Sequence, residues 1–241
     1  MTVLKYFKNI FEFLILLFLS IIFLKIKKRS NSILLLNTGY LGDLIVSSIL
    51  LENPDIFKDY QKVDFIIRCE YLELFKEYNG KVNFIGYNNQ KYRFSLLHKY
   101  IFLNRLRSTG YQKCIHLTSL RGILNEEIAF LCGAKYRYVL NSNYKFLGNF
   151  LGIFFDSKYN GVLANKIYNE YEKHIEVIKF LGRNKHIKVT FNNGLTFNEK
   201  VKVPLFLNSF SDSIVIAPFP SLKYRAWKKE FLKEIVNRLK V

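Results

Sequence analysis

The sequence contains few of the Cys, Pro and Gly residues that are typical of small disulfide-rich proteins and of repetitive proteins. Its 241 residues include three Cys, four Pro and twelve Gly. Cys69, Cys114 and Cys132 are odd in number and widely separated, and no CxxC pair or zinc-like His spacing accompanies them, so neither a disulfide framework nor a zinc site is predicted. They are interpreted as buried, reduced thiols, which fits the cytoplasm. The scarcity of Pro and Gly excludes linker and low-complexity classes, while 50% hydrophobic residues suffice for a real core.

Acidic residues are also scarce. The chain has 19 Asp and Glu against 37 Lys and Arg, a formal net charge of +18. Such a charge attracts phosphate-bearing partners. The basic residues are spread along the chain, with no arginine-rich arm or aromatic RNA-binding signature, which argues against nucleic acid. Two interpretations stay open: a lysine-rich solvated surface, or attraction to anionic lipid or a phosphorylated sugar.

The N-terminus carries an apolar run, FLILLFLSIIFL from Phe13 to Leu24, which extends to residues 10–26. A helix of that extended length reaches about 25 Å, short of a hydrocarbon core of roughly 30 Å. The following KIKKRSN lacks a small-residue cleavage site, and its basic residues favour a cytoplasmic position for the rest of the chain. We predict that residues 1–30 form a hydrophobic, membrane-associating helix. Whether it spans the membrane is open, and the alternative is a helix packed on the protein's own surface.

From Ser32 onward, short apolar runs alternate with helical stretches, the pattern of a mainly parallel α/β sheet. The predicted strands are residues 32–37, 63–68, 82–87, 113–118 and 136–141, and the predicted helices are residues 43–51, 126–132 and 169–181. SIVIAP at 213–218 and a helix at 228–240 repeat the plan. We therefore predict one domain over residues 31–208 and the start of a second over 209–241. One βα unit cannot cover both faces of a sheet, so this second domain is expected to be incomplete.

The loop NTGYLGD lies where the first strand turns into a helix. Gly39 and Gly42 allow backbone freedom and close approach of a partner there. A dinucleotide-binding loop is one interpretation, with Glu70 as ribose ligand, but GxGxxG is absent. Asp43 also puts a carboxylate where a pyrophosphate would bind. This carboxylate either caps the helix or faces a cleft as a general base, and local sequence leaves both roles open.

Four segments together resemble glycosyltransferase family 9, the lipopolysaccharide heptosyltransferases and their relatives. They are SILLLNTGYLGDLIVSSILL, GYQKCIHLTSLRGILNEEIAFLCGAKYRYVL, YEKHIEVIKFLG and IVIAPFPSLKYRAWKKEFLKEIVNRL. Their order and spacing cover nearly all of the chain from Ser32 to Leu239. The resemblance implies the GT-B arrangement, in which a Rossmann-like acceptor domain faces a Rossmann-like donor domain. It also implies an inverting, metal-independent transfer that uses a nucleotide-sugar and needs no other cofactor.

The resemblance also assigns site residues. Asp43 matches the family's catalytic base, and Gly39, Tyr40 and Gly42 lie in the same loop on the acceptor side. Ser119 and Arg121 follow the strand at 113–118, and they either face the acceptor cleft or cap the next helix. Lys223 and Arg225 are expected to hold the donor phosphates, with Arg225 where the family has Lys. His174 is the weakest of the matched positions. The implied acceptor is lipopolysaccharide core or a similar lipid-linked sugar, at the cytoplasmic face of the inner membrane.

The sequence departs from the family at its C-terminal end. The family's later donor-domain elements have no counterpart before Val241, so we expect a C-terminally truncated chain with little transferase activity by itself. Two alternatives stay open. One is a non-catalytic module that binds the acceptor, and the other is a dinucleotide-dependent Rossmann enzyme.

Overall fold

The computed structural model describes residues 2–23, 30–76, 78, 80–118, 121–141, 149–167 and 169–182. All of them belong to the unit Met1–Phe197. Several predicted features lie outside the described residues: the boundary near residue 208, the unit 209–241 with Lys223 and Arg225, and Ser119 in the first domain.

The described residues form a six-stranded sheet in which every neighbouring pair is parallel. Its strands are β1 (Ser32–Leu36), β2 (Lys62–Arg68), β3 (Val82–Tyr87), β4 (Lys113–His116), β5 (Tyr136–Leu140) and β6 (Gly161–Leu163). The spatial order is β3-β2-β1-β4-β5-β6. This order, with its reversal between β1 and β4, is that of a Rossmann sheet, so the predicted fold class is confirmed.

Helices cover both faces of this sheet. They are α1 (Thr2–Ile22), α2 (Leu41–Ser47), α3 (Asn89–Phe94), α4 (Leu96–Thr109), α5 (Ile123–Leu131), α6 (Asn149–Asp156) and α7 (Glu170–Leu181). Short 3-10 turns occupy Ser48–Leu50, Pro54–Phe57 and Cys69–Phe75. The predicted long helix is confirmed as α7, where the Asn169 side chain accepts the Tyr171 N–H and Gly182 follows the last turn.

Strand β1 joins two hydrophobic cores. Leu34 and Leu36 pack into the core under α1, α4, α5 and α6, while Ile33 and Leu35 pack into the core under α2 and α7. Successive strand residues point to opposite faces, so a strand covered on both sides needs an unbroken apolar run. This is why ILLL is uniformly hydrophobic and why β1 lies at the centre of the sheet.

The hydrophobic N-terminal segment is helical and packs on the protein. Leu16, Leu19 and Phe23 of this segment are buried, and the ring of Phe13 meets that of Phe154 edge-on, with centroids 5.7 Å apart. Packing on the protein's own surface was one of the two interpretations of this segment. Among the residues that the structure describes, no helix is long and apolar enough to cross a membrane.

Candidate functional site

The polar residues of the candidate site gather at the carboxyl edge of the sheet. Parallel strands end together there, and in a sheet of this order ligands bind where the strand order reverses. The loop from Asn37 to Tyr40 follows β1, Arg68 ends β2, and Thr118 follows β4. The Thr38 N–H donates to Thr118 Oγ1 at 3.1 Å, which ties the ends of β1 and β4 to one another.

Asp43 lies in the first turn of α2. Its Oδ2 accepts the backbone N–H of Tyr40 at 3.2 Å, so the carboxylate does cap the helix. Its side chain is nonetheless only half-buried, and Tyr40 and Gly42 beside it are exposed. The two roles that sequence left open are therefore compatible, because one oxygen caps while the group stays accessible at the carboxyl edge.

Gly39 is required by the position of this carboxylate. A Cβ atom built on Gly39 would lie 2.9 Å from the Cβ of Asp43 and 3.0 Å from Oδ1 of Asn37. Gly42 differs, since a Cβ atom there would meet nothing within 4 Å. The two glycines of the motif thus have different reasons to be present: Gly39 makes room for Asp43, while Gly42 leaves open space next to it.

A buried polar network holds α2 in place. Asn37 Nδ2 donates to Ser47 Oγ at 2.6 Å and to the backbone oxygen of Asp43 at 3.1 Å. Ser47 Oγ lies 2.9 Å from Nε2 of His174, whose Nδ1 lies 2.7 Å from the Glu170 carbonyl oxygen. The network joins the end of β1, the helix that carries Asp43, and α7. His174 therefore helps to hold α2, the helix that carries the candidate base Asp43.

The protonation of His174 follows from its partners. A carbonyl oxygen only accepts, so Nδ1 carries the hydrogen that it donates to Glu170. Burial lowers the pKa of His174, although the Glu170 carbonyl and the nearby Asp43 carboxylate oppose this shift. The ring is then neutral at pH 7. Its Nε2 contacts Ser47 Oγ, whose hydroxyl donates to the backbone oxygen of Asp43 at 2.9 Å.

Arg68 adds positive charge beside the loop, which sequence reasoning did not anticipate. Its guanidinium carbon lies 5.1 Å from the ring centroid of Tyr40, and Nη1 lies 3.3 Å from Oε1 of Glu70. Thr38 Oγ1 also donates to Asn125 Oδ1 at 2.6 Å, so α5 contributes to this edge. For Arg68 the available sequence signal was its position, since it is the charged residue that ends the apolar run of β2.

Arg121 is fully enclosed, which differs from the cleft-facing position predicted for it. Its Nε donates to Glu126 Oε1 at 2.6 Å and its Nη1 to Asp156 Oδ1 at 2.5 Å. The Tyr159 hydroxyl donates to the other oxygen of Glu126 at 2.8 Å. A buried guanidinium is tolerated only when carboxylates compensate its charge, and here they come from α5 and α6. Arg121 thus clamps these helices together.

Next to this cluster, His116 is held neutral inside the protein. Its Nδ1 lies 3.1 Å from the Tyr159 hydroxyl oxygen. Burial, with the adjacent Arg121 charge, keeps the pKa of His116 well below its usual value.

Among the described residues, no group of three or more His, Cys, Asp or Glu side chains could hold a metal ion. Cys114 and Cys132 are buried, whereas Cys69 is exposed because it opens the turn after β2, so the prediction of burial is wrong for Cys69.

The fold is similar to solved structures of the E. coli heptosyltransferase WaaC. The structure with ADP matches 86% of this chain and 64% of that chain, with a TM-score of 0.57 and 14% identity. The structure with ADP-2-deoxy-2-fluoro heptose matches 86% of this chain and 65% of that chain, again with a TM-score of 0.57 and 14% identity. A glycosyl transferase family 9 structure from Veillonella parvula DSM 2008 matches 70% of this chain and 45% of that chain, with a TM-score of 0.49 and 19% identity.

No protein-family model and no curated protein sequence matches the chain. At 14% identity the structural likeness establishes the fold, and the chain spans just under two thirds of the length of the heptosyltransferase chain. The Rossmann-like domain that the family resemblance implied, of the kind found in heptosyltransferases, is confirmed.

Proposed function

We propose that this chain carries the acceptor side of an inverting glycosyltransferase that moves a heptose-like sugar from a nucleotide-sugar to a hydroxyl group of a lipid-linked acceptor. The observation that carries the proposal is the placement of Asp43. Its half-buried carboxylate lies at the carboxyl edge of the sheet, beside the reversal of strand order, in a fold shared with a heptosyltransferase.

The proposed chemistry needs one base on this domain. A carboxylate of Asp43 takes the proton of the acceptor hydroxyl as the hydroxyl oxygen attacks the anomeric carbon, and the bond to the nucleoside diphosphate breaks from the opposite side. Attack from that side inverts the anomeric centre. The leaving diphosphate needs positive charge, which we assign to Lys223 and Arg225. No residue in this scheme requires a metal ion.

Structural support for the base comes from how firmly Asp43 is held. The capping bond from Tyr40 fixes one carboxylate oxygen, and the buried Asn37–Ser47–His174 network fixes the helix below it. A base held this way loses little freedom when the acceptor binds. Arg68, close to Tyr40, supplies a cation that suits an anionic acceptor such as a phosphorylated core sugar.

The same geometry disfavours a dinucleotide at this loop. The Tyr40 N–H that would donate to a pyrophosphate already donates to the Asp43 carboxylate. A bound pyrophosphate would also face the negative charge of that carboxylate. Titration with NAD is expected to show no saturable binding, and tight binding would favour the dinucleotide alternative.

The test replaces Asp43 by Asn and Asp55 by Asn as its matched control. Asp55 is an exposed acid that pairs with Lys58 at the surface, away from the loop. With a nucleotide-heptose donor and a lipid A core acceptor, the unsubstituted chain is expected to transfer sugar slowly, because its donor-side elements are incomplete. Asp43→Asn is expected to lower that slow rate by about 10²–10⁴-fold, the usual contribution of a general base. Asp55→Asn is expected to leave the rate unchanged.

Acceptor binding separates chemistry from recognition. The acceptor is expected to bind Asp43→Asn within a few-fold of the unsubstituted chain, because the amide keeps the shape of the carboxyl group. Equal transfer rates for the two variants would refute the assignment of the base. Acceptor binding without any turnover, even with the unsubstituted chain, would instead favour a non-catalytic acceptor-binding module.

A further inference from the structure

The outer side of α1 is exposed and apolar. Leu16 and Leu19 on its inner side are 6% and 3% exposed. Seven large apolar side chains on the other side are 44–67% exposed: Ile10, Phe11, Leu14, Leu17, Phe18, Ile21 and Ile22. Their helical spacing places them on the broad face that points away from α5. This face has no partner among the described residues.

Helix α4 extends the apolar area. Leu97 and Ile101, one turn apart, are 69% and 57% exposed, and Tyr100 is 44% exposed. The Tyr100 ring stacks on that of Phe23 with centroids 5.6 Å apart, so α4 lies next to the end of α1. We call the seven residues of α1 together with Leu97, Tyr100 and Ile101 the α1–α4 surface. Continuous apolar areas of this extent are uncommon on soluble proteins and mark interaction sites.

The two sequence segments that contribute the α1–α4 surface are rich in basic residues. Residues 1–30 contain six Lys and Arg and a single acid, Glu12, which pairs with Arg93 at 3.6 Å. Residues 88–110 contain five Lys and Arg and no acid, and Lys91 and Arg105 among them are exposed. A second copy of this chain would bring like charges face to face, which opposes self-association. An anionic lipid surface complements both the apolar side chains and the excess of basic residues in these segments.

We infer that the α1–α4 surface docks on an anionic bilayer, with α1 lying along the lipid–water interface while its inner side stays packed on α5. This placement agrees with the absence of a helix able to cross a membrane among the described residues. The Glu12–Arg93 pair lies just after the end of β3, so the first half of α1 lies toward the carboxyl edge that carries Asp43. A docked molecule would therefore hold the candidate site close to lipid-linked substrates.

Lipid binding tests this inference separately from transferase activity. The inference can therefore hold even if the proposed function is refuted. The full chain is mixed with phosphatidylcholine vesicles, with or without about 30% phosphatidylglycerol, at low and high salt, and bound protein is measured by co-flotation. The test variant combines Leu14→Gln, Leu17→Gln and Leu97→Gln. The control is Leu74→Gln, which changes an apolar side chain, 38% exposed, in the turn between β2 and β3.

The unsubstituted chain is expected to bind anionic vesicles more tightly than neutral ones, and less tightly at high salt. The triple variant should bind about tenfold more weakly or worse, since each Leu contributes apolar burial, while Leu74→Gln should stay within about twofold. Circular dichroism checks that all variants are folded. Equal lipid binding by the triple variant would overturn the inference. Retention of the unsubstituted chain in the bilayer after alkaline carbonate extraction would also overturn it, because such retention indicates a spanning helix. A dimer of the unsubstituted chain that the triple variant disrupts and the control does not would overturn it as well.

Discussion

Gly39→Ala is expected to displace the Asp43 carboxylate and to destabilise the protein. The added methyl carbon would lie 2.9 Å from the Cβ of Asp43 and 3.0 Å from Oδ1 of Asn37, well inside ordinary contact distance. Neither neighbour can yield freely. Asp43 is in the first turn of α2, and Oδ1 of Asn37 accepts the N–H of Gly39 at 2.9 Å while its Nδ2 is bonded to Ser47.

The magnitude follows from these contacts. Overpacking of a constrained position lowers the free energy of unfolding by about 1–3 kcal/mol. This range includes the loss of the hydrogen bond from the Tyr40 N–H, which breaks if the Asp43 carboxylate is displaced. For a chain of this size each kcal/mol shifts the melting temperature by about 2–4 °C, so Gly39→Ala should melt about 2–12 °C lower. The proposed transfer reaction should slow as well, because the base leaves its position.

Gly42→Ala is the matched control for this experiment. It adds the same methyl group three residues away, inside α2, where nothing lies within 4 Å. Alanine is favoured over glycine in a helix by roughly 0.5–1 kcal/mol, so this variant should melt slightly higher than the unsubstituted chain. Thermal denaturation followed by circular dichroism gives both values. If the two variants melted alike, the close approach of Gly39 and Asp43 would not exist as described.

Acidification should destabilise the fold through its buried histidines. Burial lowers the folded-state pKa of His116 and His174, so their contribution is complete above the unfolded-state pKa of about 6.5 and is lost as pH falls below it, by up to about 1.4 kcal/mol per pH unit per group. His174→Gln should flatten this slope in melting curves, and an unchanged slope would contradict the assignment. Lys99→Met should lower the free energy of unfolding, measured by urea denaturation, by about 3–5 kcal/mol. The two carboxylate oxygens of the buried Glu127 each lie 2.8 Å from Lys99 Nζ, so this substitution removes the cation that compensates a buried charge. Adding Glu127→Leu should recover most of that loss, and a double variant as unstable as the single one would show that the ion pair is not the cause.

The central sheet was predictable because its signal is local. Buried parallel strands appear as short, uniformly apolar runs, and all five predicted strands are present with ends that differ by at most two residues. Strand β6 was missed because its three residues, GVL, are too short to show a pattern. Helix α4 was also missed. Its buried and exposed sides both contain leucine and basic residues, which removes the contrast that indicates a helix face.

The candidate site was predictable only in its loop. Gly39, Gly42 and Asp43 lie within one short motif, so their roles could be argued from the sequence. The partners that hold Asp43 could not, because Ser47 and His174 are 127 residues apart. Arg121 shows the same limit: its partner Asp156 lies 35 residues away, and sequence alone does not reveal that these charges compensate each other inside the protein. Residue type identifies candidate chemistry, whereas tertiary packing decides which groups face solvent.

A crystal structure of the chain with a bound core-sugar acceptor tests the identity of the base most directly. The distance to measure is that from the acceptor hydroxyl oxygen to the nearer carboxylate oxygen of Asp43. We expect about 2.6–3.2 Å, the range in which a general base takes a proton. An acceptor bound elsewhere on the domain, with the Asp43 carboxylate still capping α2 and no sugar hydroxyl within reach, would contradict the account.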